Sequence, residues 1–451
     1  MKILKNITVF TLVMLLTVST VLEARDKNVS NFSSTSNYVD SVGTFDGNKI
    51  YADVANNGLF LDYHVSGDSA LEWPKGTGAH SIFQSALWMG ATVNGSIRTI
   101  VGDYTQDMGP GPWGGDPLAA VHRIYKVEKS MLASPLDFAD FQDWPVDFGA
   151  PWVDVDGDGT YSPLPAGPDH PEFVGDQVLW FVSNDGDPAY KLNFGTSPLN
   201  VEIQTTMFGF DRPDVFGDMV FLKQLVINKG QDDLVDTYMG LWSDPDLGYA
   251  GDDLVGCDVD LGMGYVWNDG DDSTYSTLDI GTPAAGYDFF QGPMVPCEDG
   301  DSEEVCPAEG AKMFGTRHPG MKNLKMSSFA FYINGDATYT DPSDENEGYY
   351  YLQGLRKDGS AYPNDIAGDL YDQKFCFYGD PTQTHGSANP VDGNYAAAAD
   401  RRFLMSVGPF TMAAGDSQEV VFGIFHAAGG DALSSVAYLR EVDALAQTAY
   451  D

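Results

Sequence analysis

Short apolar runs broken by turn-forming residues recur along most of the chain, and they show the period-two alternation of strands. The predicted strands are 58–65, 81–93, 96–104, 120–128, 176–185, 199–210, 219–230, 401–412 and 417–428. The pair Asn94-Gly95 between the second and third runs predicts a tight hairpin. Residues 413–416 predict the turn between the last two strands.

Other parts of the chain lack this alternation. Residues 106–117, much of 284–325 and much of 355–400 are predicted to be loops over the sheets. A helical spacing appears only at the end, in residues 431–450. The residues on its predicted apolar face are Leu433, Val436, Leu439, Val442 and Ala446. The sequence therefore predicts an all-β fold, a large β-sandwich-type architecture with long acidic loops and one C-terminal helix.

The first 24 residues predict an export signal. Lys2 and Lys5 form a basic start, residues 7–21 are apolar, and Ala24 offers a small residue for cleavage. The apolar run is short for a membrane span and contains several threonines, which favours a cleaved signal over an anchor. We therefore expect a secreted protein, extracellular or on the outer cell surface, with no membrane span after the signal is removed.

Two regions are predicted beyond the signal. Residues 25–45 are rich in Ser, Asn and Thr and predict a flexible leader. Residues 46–451 predict the β-sandwich region. That region is expected either as one unit or as two packed sub-domains with a boundary near residues 195–200.

The chain is strongly acidic. It has 66 Asp and Glu against 24 Lys and Arg, a formal net charge of −42. Such a field repels phosphate backbones and anionic lipid surfaces, which excludes nucleic acid as an expected partner. It favours divalent cations, against the alternative of a solvated acidic surface that keeps an exported protein in solution.

Four cysteines in an exported chain predict two disulfides. Cys297 and Cys306 flank one short polar loop, so we expect them to pair. Cys257 and Cys376 remain as the second pair. No spacing typical of a zinc site accompanies them.

The stretch "DVDGDGT" at 154–160 has the pattern of a calcium loop. Asp154, Asp156 and Asp158 fit positions one, three and five of an EF-hand-like loop, and Thr160 would offer its backbone carbonyl at position seven. Position twelve is Pro165 instead of the usual glutamate. The nearby carboxylates that could replace that ligand are Asp169, Glu172 and Asp176. We expect calcium to fasten a β connection here, with an ion-free Asp/Gly turn as the alternative.

A second acidic stretch is less regular. Its members are Asp244, Asp246, Asp252, Asp253, Asp258 and Asp260. Their spacing matches no loop formula, yet their mutual repulsion would be costly unless solvent or a cation relieved it. Calcium binding and plain solvation both stay open for this stretch.

Catalytic motifs are scarce. The sequence contains neither a G-x-S-x-G elbow nor an H-E-x-x-H pair. Residues 109–114, "GPGPWG", match the dinucleotide pattern in letters only, because prolines fill two variable sites and no helix is predicted to follow. Carboxylates such as Asp176 and Glu202 would suit glycoside hydrolysis. Exposed tryptophans such as Trp113 and Trp152 could stack on sugars, although core packing is the usual fate of tryptophan.

A series of short motifs gives the chain a family resemblance. In order they are "NNGLFLDY", "SALWMGATVNG", "PWVDVDGDGTYSP", "GDQVLWFVSND", "SDPDLGYAGDDLVGCDVDLGMGYVWNDGD", "YYYLQGLRKDGS", "FYGDP" and "DRRFLMSVGPFTMAAGDSQEVVFGIF". Over residues 50–450 the sequence resembles the N-terminal region of large secreted bacterial proteins of uncharacterised function that are cargo of type IX secretion. Family members often continue into immunoglobulin-like modules and a sorting domain. This sequence ends at Asp451, directly after the predicted helix. We therefore expect either a fragment of a longer protein or another export route.

The resemblance implies no catalytic residues. It implies that Asp154, Asp156 and Asp158 are a recurring calcium-type loop. It also implies that Asp252, Asp253 and Asp258 are a shared acidic feature.

The leading hypothesis is a calcium-stabilised β protein without enzymatic activity, acting as a scaffold or as an adhesion and binding module. Its expected partners are extracellular glycans or other surface proteins. The alternative is a secreted glycan-active hydrolase.

Overall fold

The computed structural model of the protein describes residues 42–363, 374–378, 380–382 and 397–451. The predicted export signal (1–24) and most of the predicted leader lie outside the described residues, as does much of 355–400. The last residues of the predicted leader form the strand Val42–Phe45.

The strands and helices of the described ranges follow in chain order. The strands are β1 Val42–Phe45, β2 Tyr51–Ala55, β3 Leu71–Glu72, β4 His80–Ile82, β5 Gln84–Val93, β6 Ser96–Ile100, β7 Gly109–Pro110, β8 Tyr125–Glu128, β9 Trp152–Val153, β10 His170–Pro171, β11 Gln177–Asn184, β12 Val201–Gly209, β13 Met219–Asn228, β14 Leu234–Asp244, β15 Asp253–Asp258, β16 Met263–Asn268, β17 Ala284–Gln291, β18 Met294–Pro296, β19 Ala311–Met313, β20 Thr316–His318, β21 Met321–Asn323, β22 Ser328–Ile333, β23 Arg401–Met412 and β24 Ser417–Ala427. The helices are α1 Ala139–Gln142, α2 Glu345–Leu352 and α3 Ala432–Tyr450.

The larger of the two main sheets has nine strands. Its order is β15-β16-β17-β24-β13-β12-β11-β7, and β8 also pairs with β11. Neighbouring strands of this sheet are antiparallel, as in the pair β11 and β12, whose register runs from Gln177↔Gly209 to Asn184↔Glu202. These two strands precede and follow residues 195–200, so the chain passes the predicted sub-domain boundary within one sheet.

The second main sheet packs against the first. Its five strands have the order β22-β23-β14-β5-β6. Buried side chains of both sheets form one continuous core, in which the rings of Tyr287 on β17 and Phe403 on β23 lie 5.4 Å apart. Within the five-stranded sheet the indoles of Trp88 and Trp242 stack at 5.7 Å. The predicted all-β, sandwich-type fold is therefore confirmed.

The outer face of the large sheet is covered by α3. Asp431 caps this helix by accepting a hydrogen bond from the Ser434 backbone N–H at 2.9 Å. The predicted positions Val436, Leu439, Val442 and Ala446 are buried against the sheet. Leu433 was assigned to the same face, but it is 42% exposed. Ala432 in the same turn is buried instead, so the buried face runs through Ala432, Val436 and Leu439 and leaves Leu433 on another side of the helix.

Several strand predictions are confirmed and some are wrong. Strands β23 and β24 lie within a residue of their predicted bounds, and β5 and β6 form the predicted hairpin. Asn94 and Gly95 both have positive φ, 51° and 81°, as a type I′ turn requires. Residues 58–65 are not a strand. Side chains before and within this run, Asn57 and Asp62, accept hydrogen bonds from nearby backbone N–H groups and so favour turns.

The predicted loop at 284–325 also needs correction. It contains β17, all of whose residues are buried, together with the short ribbons β18–β21 and β19–β20. A strand buried on both faces carries no alternation of apolar and polar residues, and in β17 Gly286 and Asp288 also interrupt the apolar run, so the pattern did not reveal it. The predicted loop at 106–117 contains only the two-residue strand β7.

One of the two predicted disulfides is present. Cys297 and Cys306 form a disulfide with 5.9 Å between their Cα atoms. Cys257 and Cys376 are not bonded; both are buried thiols, and the Cys257 Sγ lies 3.4 Å from the Cys376 carbonyl oxygen. The expected second disulfide is therefore wrong, although the fold brings these two residues side by side.

Candidate metal site

The predicted calcium loop leaves and re-enters a small two-stranded ribbon. β9 and β10 pair in antiparallel register, Val153 with His170 and Trp152 with Pro171. Residues 154–169 form the connection between them. The ends of this connection are thereby fixed next to each other, which allows residues at both ends to share one site.

The first part of the connection is shaped by its own aspartates. The Asp154 carboxylate accepts hydrogen bonds from the backbone N–H groups of Gly157 at 2.7 Å and Gly159 at 2.9 Å. Asp158 accepts one from the Thr160 N–H at 2.7 Å. Gly157 and Gly159 both have φ of 76°, a conformation that residues with a Cβ rarely adopt. The chain therefore curls tightly around the three carboxylates.

The fourth carboxylate of the group comes from the other end of the connection. Asp169 is 2% exposed, and it accepts hydrogen bonds from the N–H groups of Val155 and Ser162, both at 2.9 Å. One carboxylate oxygen each from Asp154, Asp156, Asp158 and Asp169 lies within 4.8 Å of the other three. Oxygen ligands gathered in this way suit a hard cation such as calcium.

The electrostatics of the group favour a cation. Desolvation raises the pKa of Asp156, and the negative charges of Asp158, Asp169 and Asp154 raise it further. Burial also acts to raise the pKa of Asp169, but the hydrogen bonds from Val155 and Ser162 outweigh it, so that this pKa lies below its usual value. Asp169 therefore ionises more readily than an ordinary aspartate, whereas the neighbouring Asp156 ionises less readily. A bound cation would remove that resistance of Asp156 to ionisation.

The other two predicted ligands of this site are placed differently. Thr160 lies in the exposed loop, where its N–H donates to the predicted ligand Asp158 at 2.7 Å. Asp176 lies apart from the four carboxylates: its side chain accepts a hydrogen bond from the Asp211 N–H at 2.9 Å, and it lines a different cavity. Spacing in sequence favoured Asp176 and Asp169 equally, and the β9–β10 pairing brings only Asp169 to the loop.

The second acidic stretch divides into separate places. Asp244 and Asp246 converge with Asp400, which precedes β23. Arg402 lies 3.1 Å from Asp244 and 2.5 Å from Asp400 and is nearly fully buried. The chain thus supplies its own cation at this cluster, and the guanidinium takes the role that a metal would otherwise have.

The predicted ligands Asp252, Asp253 and Asp258 do not form one site. The Asn268 side chain donates to Asp252 at 2.6 Å and to Asp253 at 3.2 Å. Burial, followed by the charge of Asp246, raises the pKa of Asp253 well above its usual value, which favours its protonated form. Asp258 lies elsewhere, 2.5 Å from the guanidinium of Arg440. The amide of Asn268 thus hydrogen-bonds to Asp252, protonation is favoured at Asp253, and Arg440 neutralises Asp258.

The carboxylates suggested for glycoside hydrolysis are too far apart for that chemistry. Glu202 pairs with Asn184 at one end of the β11–β12 ladder, whereas Asp176 precedes the other end, where Gln177 pairs with Gly209. That separation is about 24 Å along a strand, whereas glycosidase carboxylates lie roughly 5–10 Å apart. This pair cannot act together on one glycosidic bond.

Comparisons with known proteins give no further guide. No family model matches the chain, and no curated protein matches it. Within the described ranges, none of the helices combines the length and the apolarity needed to cross a membrane.

Proposed function

We propose that the chain is an exported β protein, secreted or held at the outer cell surface, whose acidic loop binds calcium. The convergence of Asp154, Asp156, Asp158 and Asp169 carries this proposal. In the same proposal the protein is a scaffold or a binding module for extracellular glycans or surface proteins, and not an enzyme.

Three further observations support the proposal. The β9–β10 ribbon already fixes both ends of the loop, so that calcium has to order little additional backbone. The disulfide between Cys297 and Cys306 suits an oxidising compartment outside the cytosol. The loop is exposed over most of its length, which gives an ion access from solvent.

Calcium in this loop would act on stability. A ligand that binds only the folded state stabilises it by about 2.7 kcal/mol when present at a hundred times its dissociation constant. The melting temperature should therefore be higher in millimolar calcium than in excess chelator. Differential scanning calorimetry of the same preparation under both conditions measures the difference.

Matched variants make the test specific to this loop. Asp156→Asn removes one charge from an exposed position, and we expect it to reduce the calcium-dependent rise in melting temperature. Asp68→Asn changes an exposed aspartate outside the group and should leave the rise intact. Equal melting temperatures of the unmodified protein in calcium and in chelator would contradict the proposal.

A further inference from the structure

A small cavity lies at the edge of the large sheet where β7 pairs with β11. Its volume is about 270 Å³. Two loops line it, residues 113–117 after β7 and residues 186–190 after β11. The register that joins Ser183 to Pro110 and Asn184 to Gly109 holds these two loops side by side.

Trp113 at this cavity differs from the other tryptophans. All eight tryptophans of the chain lie within the described ranges, and six of them are at most 5% exposed. Trp152 is partly buried, and Trp113 is 44% exposed. Leaving a large aromatic ring in water costs free energy that burial would have recovered, so its exposure beside a cavity indicates a binding surface.

The indole is held in place before any ligand arrives. The backbone N–H of Trp113 donates to the Glu202 carboxylate at 2.9 Å, and its indole N–H reaches Asn200 at 3.4 Å. Glu202 is nearly fully buried, and its other oxygen lies 3.3 Å from the Lys229 amine. A Cβ added to Gly186 would lie 2.5 Å from the indole, so one edge of the ring rests directly on that backbone. A fixed ring binds with a smaller loss of conformational entropy than a mobile one.

The rest of the lining offers hydrogen bonds but no positive charge. The exposed Asp187 offers a carboxylate, the buried Asn184 holds the loops together through Gly111 and Gly186, and the buried Tyr190 ring packs under Gly109. Neither lysine nor arginine lines the cavity. Together with the net charge of −42, this lining disfavours phosphate, sulfate and uronic acid groups. It suits a neutral ligand with many hydroxyl groups and an apolar ring face.

We propose that the Trp113 cavity binds a sugar ring of a neutral polysaccharide. The C–H face of the pyranose would stack on the indole, while its hydroxyl groups would donate hydrogen bonds to Asp187 and to backbone carbonyls of the glycine-rich loops. This inference rests on the proposed function as a binding module and names its partner class. It does not depend on calcium, because the cavity and the acidic loop use different residues.

Oligosaccharide binding to the full chain tests the proposal. The probes are neutral gluco-, manno- and xylo-oligosaccharides, with a sulfated and a uronic acid oligosaccharide for comparison, measured by titration calorimetry. We expect at least one neutral probe to bind and the charged probes not to bind. For that neutral probe, Trp113→Ala should weaken binding at least tenfold, because the stacking surface is lost.

Two other variants separate stacking from general damage. Gly186→Ala should also weaken binding, since the added methyl group displaces the indole. Leu118→Ala changes a side chain that is equally exposed, at 44%, on the adjoining loop but outside the cavity lining, and should bind as the unmodified protein does. Melting curves confirm that each variant is folded.

Three outcomes would overturn the inference: no neutral probe binds, Trp113→Ala binds as well as the unmodified protein, or the charged probes bind as tightly as the neutral ones. Binding of an apolar peptide at Trp113 without any sugar would assign the cavity to a protein partner instead. The calcium proposal is judged separately, by melting in chelator, so the two failures are distinguishable.

Discussion

Asp288 on β17 and Asp443 on α3 bury their carboxyl groups against each other. Both residues are 1% exposed and are within hydrogen-bonding contact. Burial raises the pKa of both groups, and each is raised further by a nearby carboxylate, that of Asp443 for Asp288 and that of Asp258 for Asp443. Among the charged groups near the pair, Arg440 is occupied by Asp258. The pair is therefore most stable when it holds a proton.

This pair predicts a pH dependence of stability. In the unfolded chain both groups ionise near their ordinary pKa of 3.8, while the folded protein keeps the proton to higher pH. The folded state then binds more protons than the unfolded state, so the free energy of unfolding falls as the pH rises from about 4 toward neutrality. Asp443→Asn stays neutral and should flatten that fall, at about 1.4 kcal/mol per unit of pKa shift removed.

Urea unfolding at a series of pH values measures the effect. We expect Asp443→Asn to gain stability relative to the unmodified protein as the pH rises. Glu441→Gln, an exposed change on the same helix, should follow the unmodified profile. If the free energy of unfolding of Asp443→Asn changes with pH in parallel with that of the unmodified protein, Asp288 and Asp443 do not share a proton.

At the scale of single residues, the sequence predicts sites whose members are close together along the chain. The alternation of Asp154, Asp156 and Asp158 with glycine determines their convergence, since a tight turn brings positions one, three and five together. The cluster of Asp244 with Asp400 and Arg402 could not be found in the same way. Its members come from distant parts of the chain, and only the pairing of β14 with β23 brings them together.

Among the secondary-structure elements, α3 shows what helical spacing predicts and what it does not. Helical spacing predicted its bounds within one residue, and its buried face follows from the positions of Val436, Leu439 and Val442. The same spacing placed Leu433 on that face, but repeated steps of three residues fall short of the 3.6-residue turn, so Ala432 occupies the buried face in place of Leu433. Strand β17 was missed for a different reason: burial on both faces removes the alternation, and Gly286 and Asp288 interrupt the apolar run that would otherwise have marked it.

The packing of α3 predicts unequal costs for two leucines of one helix. Leu439→Ala should lower the free energy of unfolding by about 2–5 kcal/mol, because it leaves a cavity in the core beneath the helix. Leu433→Ala should change it by less than about 0.5 kcal/mol, since that side chain is exposed. Chemical denaturation of both variants measures the two values. Equal losses would mean that the helix does not pack on the large sheet in this way.

The described part of the chain is a sandwich of two main sheets with one continuous core between them. Short apolar runs such as those of β11, β12 and β13 were enough to predict that class. They could not predict how the chain distributes its strands between two sheets, because strand neighbours such as β13 and β24 are far apart in sequence. The large net charge is likewise visible in the composition, but which carboxylates gain an arginine, an amide or a proton depends on the fold.

Calcium titration of buffer-exchanged protein, by calorimetry, tests the proposed metal loop most directly. We expect saturable binding of at least one calcium ion per chain, and its loss in a variant that carries Asp156→Asn and Asp158→Asn together. Asp68→Asn should retain the binding. A natively folded protein that takes up no calcium, or one whose uptake is unaffected by the double substitution, would contradict a calcium site in the loop between β9 and β10.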